Sequence, residues 1–535
     1  MLVSYEEKCL GALLGAAIGD AYGWPYEQNS KNTNIKERNS IDFIEWSHKA
    51  GGRFWAHEEH ILPGEYSDDT QLIIATLRSL LEGKQWSQHF IAYELPAWLS
   101  YARGAGRATK KAAELWTKGK TPWETKKNPA EVVHQYFMAG GNGAAMRVLP
   151  HTFIPDLDNE EFMEQVFINS MYTHGHPRAI IGAMLYAAAV KYILQCEMTL
   201  SYGELVKKLL SDQSEWSNIP KNSKIETWIN KAEENNIPYY SLWEEVAYET
   251  LDLLHLIEQS LYLGSLDLTN ETLKALGCFD KKVNGAGNRT AVICIYLFSK
   301  YADSPIECVR KSGGLKKADT DTIASMVGGL IGALHGTEWI PSEWRMVQDH
   351  EMFKPLLTLL LDKKEQPDVT LDSSFESRYV FTRAAVENME VGDAKNFRPF
   401  GKTYLVERRE EKSLIPNNIV NTSVLKTEYG QTLYVKKIEK TASRVEERYE
   451  YNTYIYNSND YNLNYELLRL IVKIIGDEWK ANDYLIFIND IVARINKKND
   501  VDIVFMEECC KRWEQYDLTM KQMQRVVDLL GKALM

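Results

Sequence analysis

The sequence predicts an all-α fold: a compact multi-helix domain over residues 1–385, followed by a smaller α+β domain over residues 386–535. Three observations predict it. Apolar residues recur at helical spacing through the first 350 positions or so, and alternating strand patterns are scarce before residue 375. Two helical stretches carry glycines four residues apart, which calls for a close approach of another helix or a ligand. Composition also shifts after about residue 385, where residues 391–535 hold 23 Lys/Arg and 22 Asp/Glu, leaving 39 and 52 for the rest. The acidity of the chain, a formal charge of −12, therefore belongs to its first part.

Taken in order, residues 5–20 read as a helix with Gly11, Gly15 and Gly19 on one face, each costing roughly 1 kcal/mol relative to alanine. Helical patterns follow at 68–82, 86–101, 129–138, 161–172, 177–195, 241–262 and 289–301. The run Ala179–Val190 is too short to span a membrane and reads as a core helix. Residues 322–335 form a second glycine-rich helix, with Gly328, Gly332 and Gly336 four apart. Beyond residue 385, "FGKTYLVERREEKSL" and "TEYGQTLYVKKIE" read as strands. A Tyr/Asn-rich stretch follows, and the helical pattern returns from Leu467.

Charge and cysteine content narrow the function classes. A net negative chain argues against a nucleic-acid surface over the whole protein. Seven cysteines, without a C-x-x-C pair, read as reduced thiols of a cytoplasmic protein rather than a zinc framework. The first twenty residues carry acids ahead of their apolar run, unlike a secretory signal.

Five segments carry chemistry. "YSDDTQL" sets Asp68 and Asp69 between Ser67 and Thr70 at a helix start. Ser, Asp and Thr there are good caps, but "ADTDT" repeats the design 250 residues on, with Asp319, Asp321 and Thr322. Four carboxylates with hydroxyls between them suit a hard cation held by oxygen ligands. "GGNGAAM" places Gly141, Asn142 and Gly143 in a turn that is either an ordinary loop or a cradle of N–H groups for phosphate. His174 and His176 precede a helix with Pro177 in its first turn, as structural residues or as contacts for a ribose or base. Glu27 follows Trp24, Pro25 and Tyr26, as a solvated loop residue or as a partly desolvated acid or base.

In this order the segments "GALLGAAIGDAYGWPYE", "YSDDTQL", "GNGAAMRVLPH", "THGHPRAI" and "ADTDTIASMVGGLIGALHG" resemble the signatures of the ADP-ribosylglycohydrolase family, over about residues 5–350. The resemblance implies an all-α hydrolase that binds two Mg²⁺ ions, with Mn²⁺ as a substitute. It would remove ADP-ribose from a modified side chain, arginine or similar, by cleaving the glycosidic bond at ribose C1′. It implies Ser67, Asp68, Asp69, Asp319, Asp321 and Thr322 as metal ligands. Gly141, Asn142 and Gly143 would hold the diphosphate or distal ribose, and His174 the ADP-ribose moiety. Either Glu27 or Asp69 would act as acid or base. The expected partner is an ADP-ribosylated protein or small ADP-ribosyl substrate, with the C-terminal domain as a docking module; no membrane or nucleic acid is expected. A non-catalytic ADP-ribose-binding or structural protein on the same scaffold is the alternative. Two departures stand out: four residues separate Gly313 and Gly314 from Asp319, and Asn288 stands where many members carry an aromatic.

Overall fold

The computed structural model describes residues 3–27, 40–52, 55–155, 157–197, 200–264, 269–362, 379–416 and 418–440. The chain divides into two compact units, Met1–Ser443 and Arg444–Met535. The second lies wholly outside the described residues, and with it the Tyr/Asn-rich stretch, the helical pattern from Leu467, and the docking role expected there.

Five helices frame the site: α1 (Tyr5–Gly23), α2 (Asp68–Leu80), α3 (Pro177–Gln195), α4 (Gly287–Tyr301) and α5 (Thr320–His335). Of the other expected helices, 86–101 is broken. It is a short turn at Trp86–His89, a wider turn at Phe90–Glu94 and a last turn at Leu95–Trp98. Helix α3 is apolar enough to be weighed as a membrane span, yet 78% of its most apolar window is buried inside the protein. It is a core helix, as its length suggests.

The glycine spacing of α1 and α5 has one cause. The two helices run antiparallel with their backbones touching. A β-carbon on Gly15 would lie 2.1 Å from the Gly328 carbonyl oxygen, and one on Gly19 would lie 1.9 Å from that of Ala324. On α5, Gly332 sits in the same way on Gly11. Only glycine permits this approach at those positions, which offsets its poor helix propensity. The contact brings the C-terminal end of α1 to the first turn of α5, where the Thr320 hydroxyl donates to the Gly23 carbonyl at 2.8 Å.

The first unit is not wholly helical. A hairpin, β1 (Trp46–Ala50) and β2 (His57–Ile61), lies where few strand patterns are visible in the sequence. Further strands are β3 (Tyr379–Val380), β4 (Ala394–Arg398), β5 (Gly401–Ser413), β6 (Asn418–Lys426) and β7 (Thr432–Lys440). Long β5 pairs antiparallel with β4 and β6, and its far end pairs with β2 at His57–Ser413 and Glu58–Lys412. The order is β1-β2-β5-β4-β3, with β6 on β5 and β7 on β6.

These strands belong to the unit Met1–Ser443, which runs past the boundary expected at residue 385. The physical reason is their attachment. Arg78 of α2 makes two bonds to Glu94, donates to Gln431 at 2.7 Å, and lies over the Phe400 ring at 4.7 Å. Phe381, Phe400 and Tyr101 close edge to face on the same side.

Candidate functional site

Helix α2 starts against the end of α1. Ser67 is its N-cap, accepting from the Asp69 N–H at 3.2 Å. Asp20 of α1, fully buried, accepts from the N–H groups of Ser67 (3.1 Å) and Thr70 (3.0 Å) and from the Thr70 hydroxyl (2.6 Å). Capping is thus performed by Ser67 and Asp20. The carboxylates of Asp68 and Asp69 are left over, both buried, and Asp69 Oδ2 has no hydrogen-bond partner.

Helix α5 presents Asp319 at its N-cap position, with Asp321 and Thr322 buried in its first turn. The Asn142 side chain donates to Asp319 Oδ2 at 3.0 Å, and Asp321 Oδ1 accepts from the Thr322 N–H at 2.9 Å. The two acidic segments meet in one place. Burial, then Asp20, Glu27 and Asp319, push the Asp68 carboxyl well above its usual range. Burial, then Asp20, Asp68 and Asp319, do the same to Asp69, with Thr322 opposing them. Burial, then Glu27, Asp319 and Asp69, raise Asp321. Glu27, half-buried just past α1, therefore faces both segments.

Among the described residues, no group of three or more His, Cys, Asp or Glu side chains is arranged to hold a metal ion as it stands. The donor chemistry nevertheless fits one. Buried carboxylates from two helix starts dominate each other's fields, and a partnerless buried oxygen on Asp69 faces no counter-charge. Such a cluster stays ionised only beside a cation.

The glycine loop borders Asp319. Its Asn142 N–H goes to the Gly285 carbonyl (2.9 Å) and the Gly287 N–H comes back to Gly140 (3.0 Å), so the loop is stitched to the start of α4. The helix expected after it is a three-residue 3₁₀ turn, Ala145–Arg147. With Asn142 N–H committed and no full helix behind, the N–H cradle is smaller than the sequence suggests. What the glycines do permit is closeness: a β-carbon on Gly143 would lie 3.0 Å from the His174 ring, and one on Gly141 would lie 3.7 Å from His174 Nε2.

His174 is buried, with Nδ1 2.8 Å from the Thr173 hydroxyl. Burial and nearby Arg147 push it down to about 3, so it is neutral. His176 is structural: it caps α3, its Nδ1 accepting from the Arg178 N–H at 3.1 Å. Asn288, at the position of the family's aromatic, is buried and donates to Thr250 (3.1 Å) and Glu249 (3.3 Å).

Sequence reasoning missed Arg147, which donates to the Gly143 carbonyl at 2.7 Å and grips Asn169 from two other nitrogens. The signal was a lone arginine inside "GNGAAMRVLPH". It also missed Asp20 as the group that seats α2.

His151, in the same motif, is pushed down to about 3 by burial. Its folded value lies below the unfolded 6.5, so the unfolded chain takes up the proton first and stability falls as pH drops from about 6.5 toward 3. His151→Gln is therefore expected to shrink the stability difference between pH 7 and pH 5 by about 2 kcal/mol. Denaturant midpoints at the two pH values check this; an unchanged difference would mean that the imidazole is protonated in the fold.

Comparison with known proteins gives the following. The family model described as ADP-ribosylglycohydrolase matches residues 1–368. The "ADP-ribosylhydrolase ARH3" of Xenopus tropicalis is 26% identical over 365 residues, covering 65% of this chain and 92% of that protein. The "ADP-ribosyl-[dinitrogen reductase] glycohydrolase" of Rhodospirillum rubrum is 22% identical over 343 residues, 64% of this chain and 90% of that one. A solved structure described as an "ADP-ribosylglycohydrolase-related protein complex" aligns with a TM-score of 0.42 at 18% identity, covering 67% of this chain and 98% of its own.

Proposed function

Since the chain belongs to the ADP-ribosylglycohydrolase family, we propose that it removes ADP-ribose from a modified side chain, arginine or similar, by hydrolysing the glycosidic bond at ribose C1′. The observation that carries this reading is the meeting of two acidic helix starts whose carboxylates are not needed as caps.

In this reading Ser67, Asp68, Asp69, Asp319, Asp321 and Thr322 hold two Mg²⁺ ions, or Mn²⁺ in their place. When bound, the ions would orient the ribose hydroxyls and lower the pKa of a water. The chain's own residues do the rest. Asn142 fixes the Asp319 carboxylate by donating to it. The bare backbone of Gly141 and Gly143 lets the diphosphate or distal ribose approach closely, held with Asn142. Neutral His174 offers Nε2 to the ADP-ribose moiety. Carboxylates around C1′ favour the oxocarbenium-like charge that develops as the bond breaks. Glu27 or Asp69 moves the proton. A cytoplasmic setting suits the five described cysteines, all free thiols.

The test is incubation of the full chain with arginine- and serine-ADP-ribosylated substrates, with and without Mg²⁺. Release of ADP-ribose only with the ion supports the reading; tight binding of ADP-ribose without release from any substrate would point to a binding protein instead. Glu27→Gln separates binding from chemistry. If Glu27 transfers the proton, ADP-ribose affinity is expected to stay near that of the parent while single-turnover cleavage falls roughly 10²–10⁴-fold. Unchanged cleavage would leave Asp69 with that role.

A further inference from the structure

Strands β4–β7 lie beyond residue 368, where the family match ends, yet they reach the segment that carries Ser67, Asp68 and Asp69. Two routes lead there. On β7, the Tyr434 hydroxyl donates to the Glu65 carboxylate, which also accepts from Arg103 Nη2 at 2.8 Å. At the turn between β6 and β7, Lys426 Nζ and the Thr432 N–H and hydroxyl all donate to Asp349 at 2.7 Å, and Asp349 accepts from the Tyr66 hydroxyl at 2.8 Å. Glu65 and Tyr66 are the two residues before Ser67. Both are buried, as is Tyr434.

Arg103 joins the routes to the site wall. Its guanidinium lies over the Tyr434 ring at 4.2 Å and the Trp24 ring at 5.4 Å, and pairs with Glu59 at 2.6 Å. Lys436 of β7 pairs with the same Glu59 at 2.6 Å. Arg103 also fixes Gly104, which has φ +87° and passes so close to Asp68 that a β-carbon there would lie 3.0 Å from Asp68 Oδ1. Glu59, Glu65 and Asp349 are matched by Arg103, Lys436 and Lys426, three charges against three. A buried network so balanced resists rearrangement, since removing one partner strands the other.

We propose that Tyr434 and Asp349 are positioning residues of the candidate site: the added sheet grips Glu65 and Tyr66, and so sets where Ser67, Asp68 and Asp69 stand relative to Asp319 and Asp321. The inference rests on the function proposed above. The reason is mechanical and electrostatic together. Without a cation, the two groups of carboxylates repel and drive the start of α2 away from the start of α5. Asp20 holds α2 from one side and the sheet holds the approach to it from the other. Cation ligands need placement to within about half an ångström, which a free loop before Ser67 would not give.

The test uses the full chain and Mn²⁺ as probe, with bound and free ion distinguished by electron paramagnetic resonance. Tyr434→Phe removes only the hydroxyl and keeps the ring under Arg103. Lys426→Met removes one donor to Asp349 at a half-exposed side chain, and it decides the matter should Tyr434→Phe not fold. Lys437→Ala, whose partners are Glu387 and Glu439 on the sheet's own surface, is the control. Both test variants are expected to bind Mn²⁺ about tenfold more weakly than the parent, the usual cost of losing an outer partner of a metal ligand, while the control binds as the parent does. Parent-like Mn²⁺ affinity in both test variants, with or without a lower melting temperature, would overturn the positioning role and leave the sheet purely structural. A parent that takes up no Mn²⁺ would instead overturn the site reading, and the positioning role with it.

Discussion

Asp319→Ala is expected to abolish release of ADP-ribose and to weaken Mg²⁺ binding, although Asp319 lies 250 residues from the other acidic segment. Its carboxylate faces Asp68, Asp69 and Asp321 and is gripped by Asn142. Removing one electrostatic group from such a centre costs at least about 10²-fold in turnover. Asp68→Ala is expected to act alike. Asp319→Asn refines the result, because it keeps the size of the side chain while removing its charge. It should fold as the parent does and still fail to bind the ion. Calorimetric Mg²⁺ titration of the three variants decides it. Parent-like binding by Asp319→Ala would show that the two helix starts do not share a cation.

Gly19→Ala is expected to be the most destabilising single methyl in the chain. The new carbon would sit 1.9 Å from the Ala324 carbonyl oxygen, inside any permitted contact, with backbone on both sides and no flexible side chain to yield. The helices must separate, at a cost of roughly 3 kcal/mol, the upper end for overpacking. Better helix propensity would return only about 1 kcal/mol. Gly106→Ala, where a β-carbon meets nothing within 4 Å, is the matched control. Urea unfolding of the two variants measures the difference; equal midpoints would mean that the α1–α5 contact is looser than described. Because Asp20 follows Gly19, the same change should also disturb the seat of α2.

The helical half of the fold was legible because its periodicity is long and its glycines are spaced by four, a pattern that few other structures need. The boundaries of α3 and the near-boundaries of α1 and α2 follow from Pro177, Ser4 and Ser67 as caps. The hairpin β1–β2 was not legible. "WSHKA" and "HEEHI" hold His, Lys and Glu at positions that face the protein, and their burial depends on Arg103 and Lys436, which lie far away in sequence. The division at residue 385 was misleading for the same reason: composition changes there, but the strands beyond it close onto Arg78, Glu65 and Glu59. The pairing of the two acidic segments was legible as a repeated design, and their meeting in space follows from the glycine contact. What no local pattern announces is that Asp20 performs the capping, which is the fact that frees Asp68 and Asp69.

The backbone contact between α1 and α5 also fixes an order of events in the life of the chain. During synthesis α1 emerges first, and its partner surface at residues 320–335 arrives only after some 300 further residues have been added. Until then a helix whose residues are almost all destined for burial has nothing to lie against. Pairings of such sequence separation form slowly, because a very long loop must close first. The nascent chain should therefore expose α1 to the ribosome surface and to holding chaperones for most of translation, and the candidate site should be absent from every nascent chain in which residues 320–335 have yet to emerge.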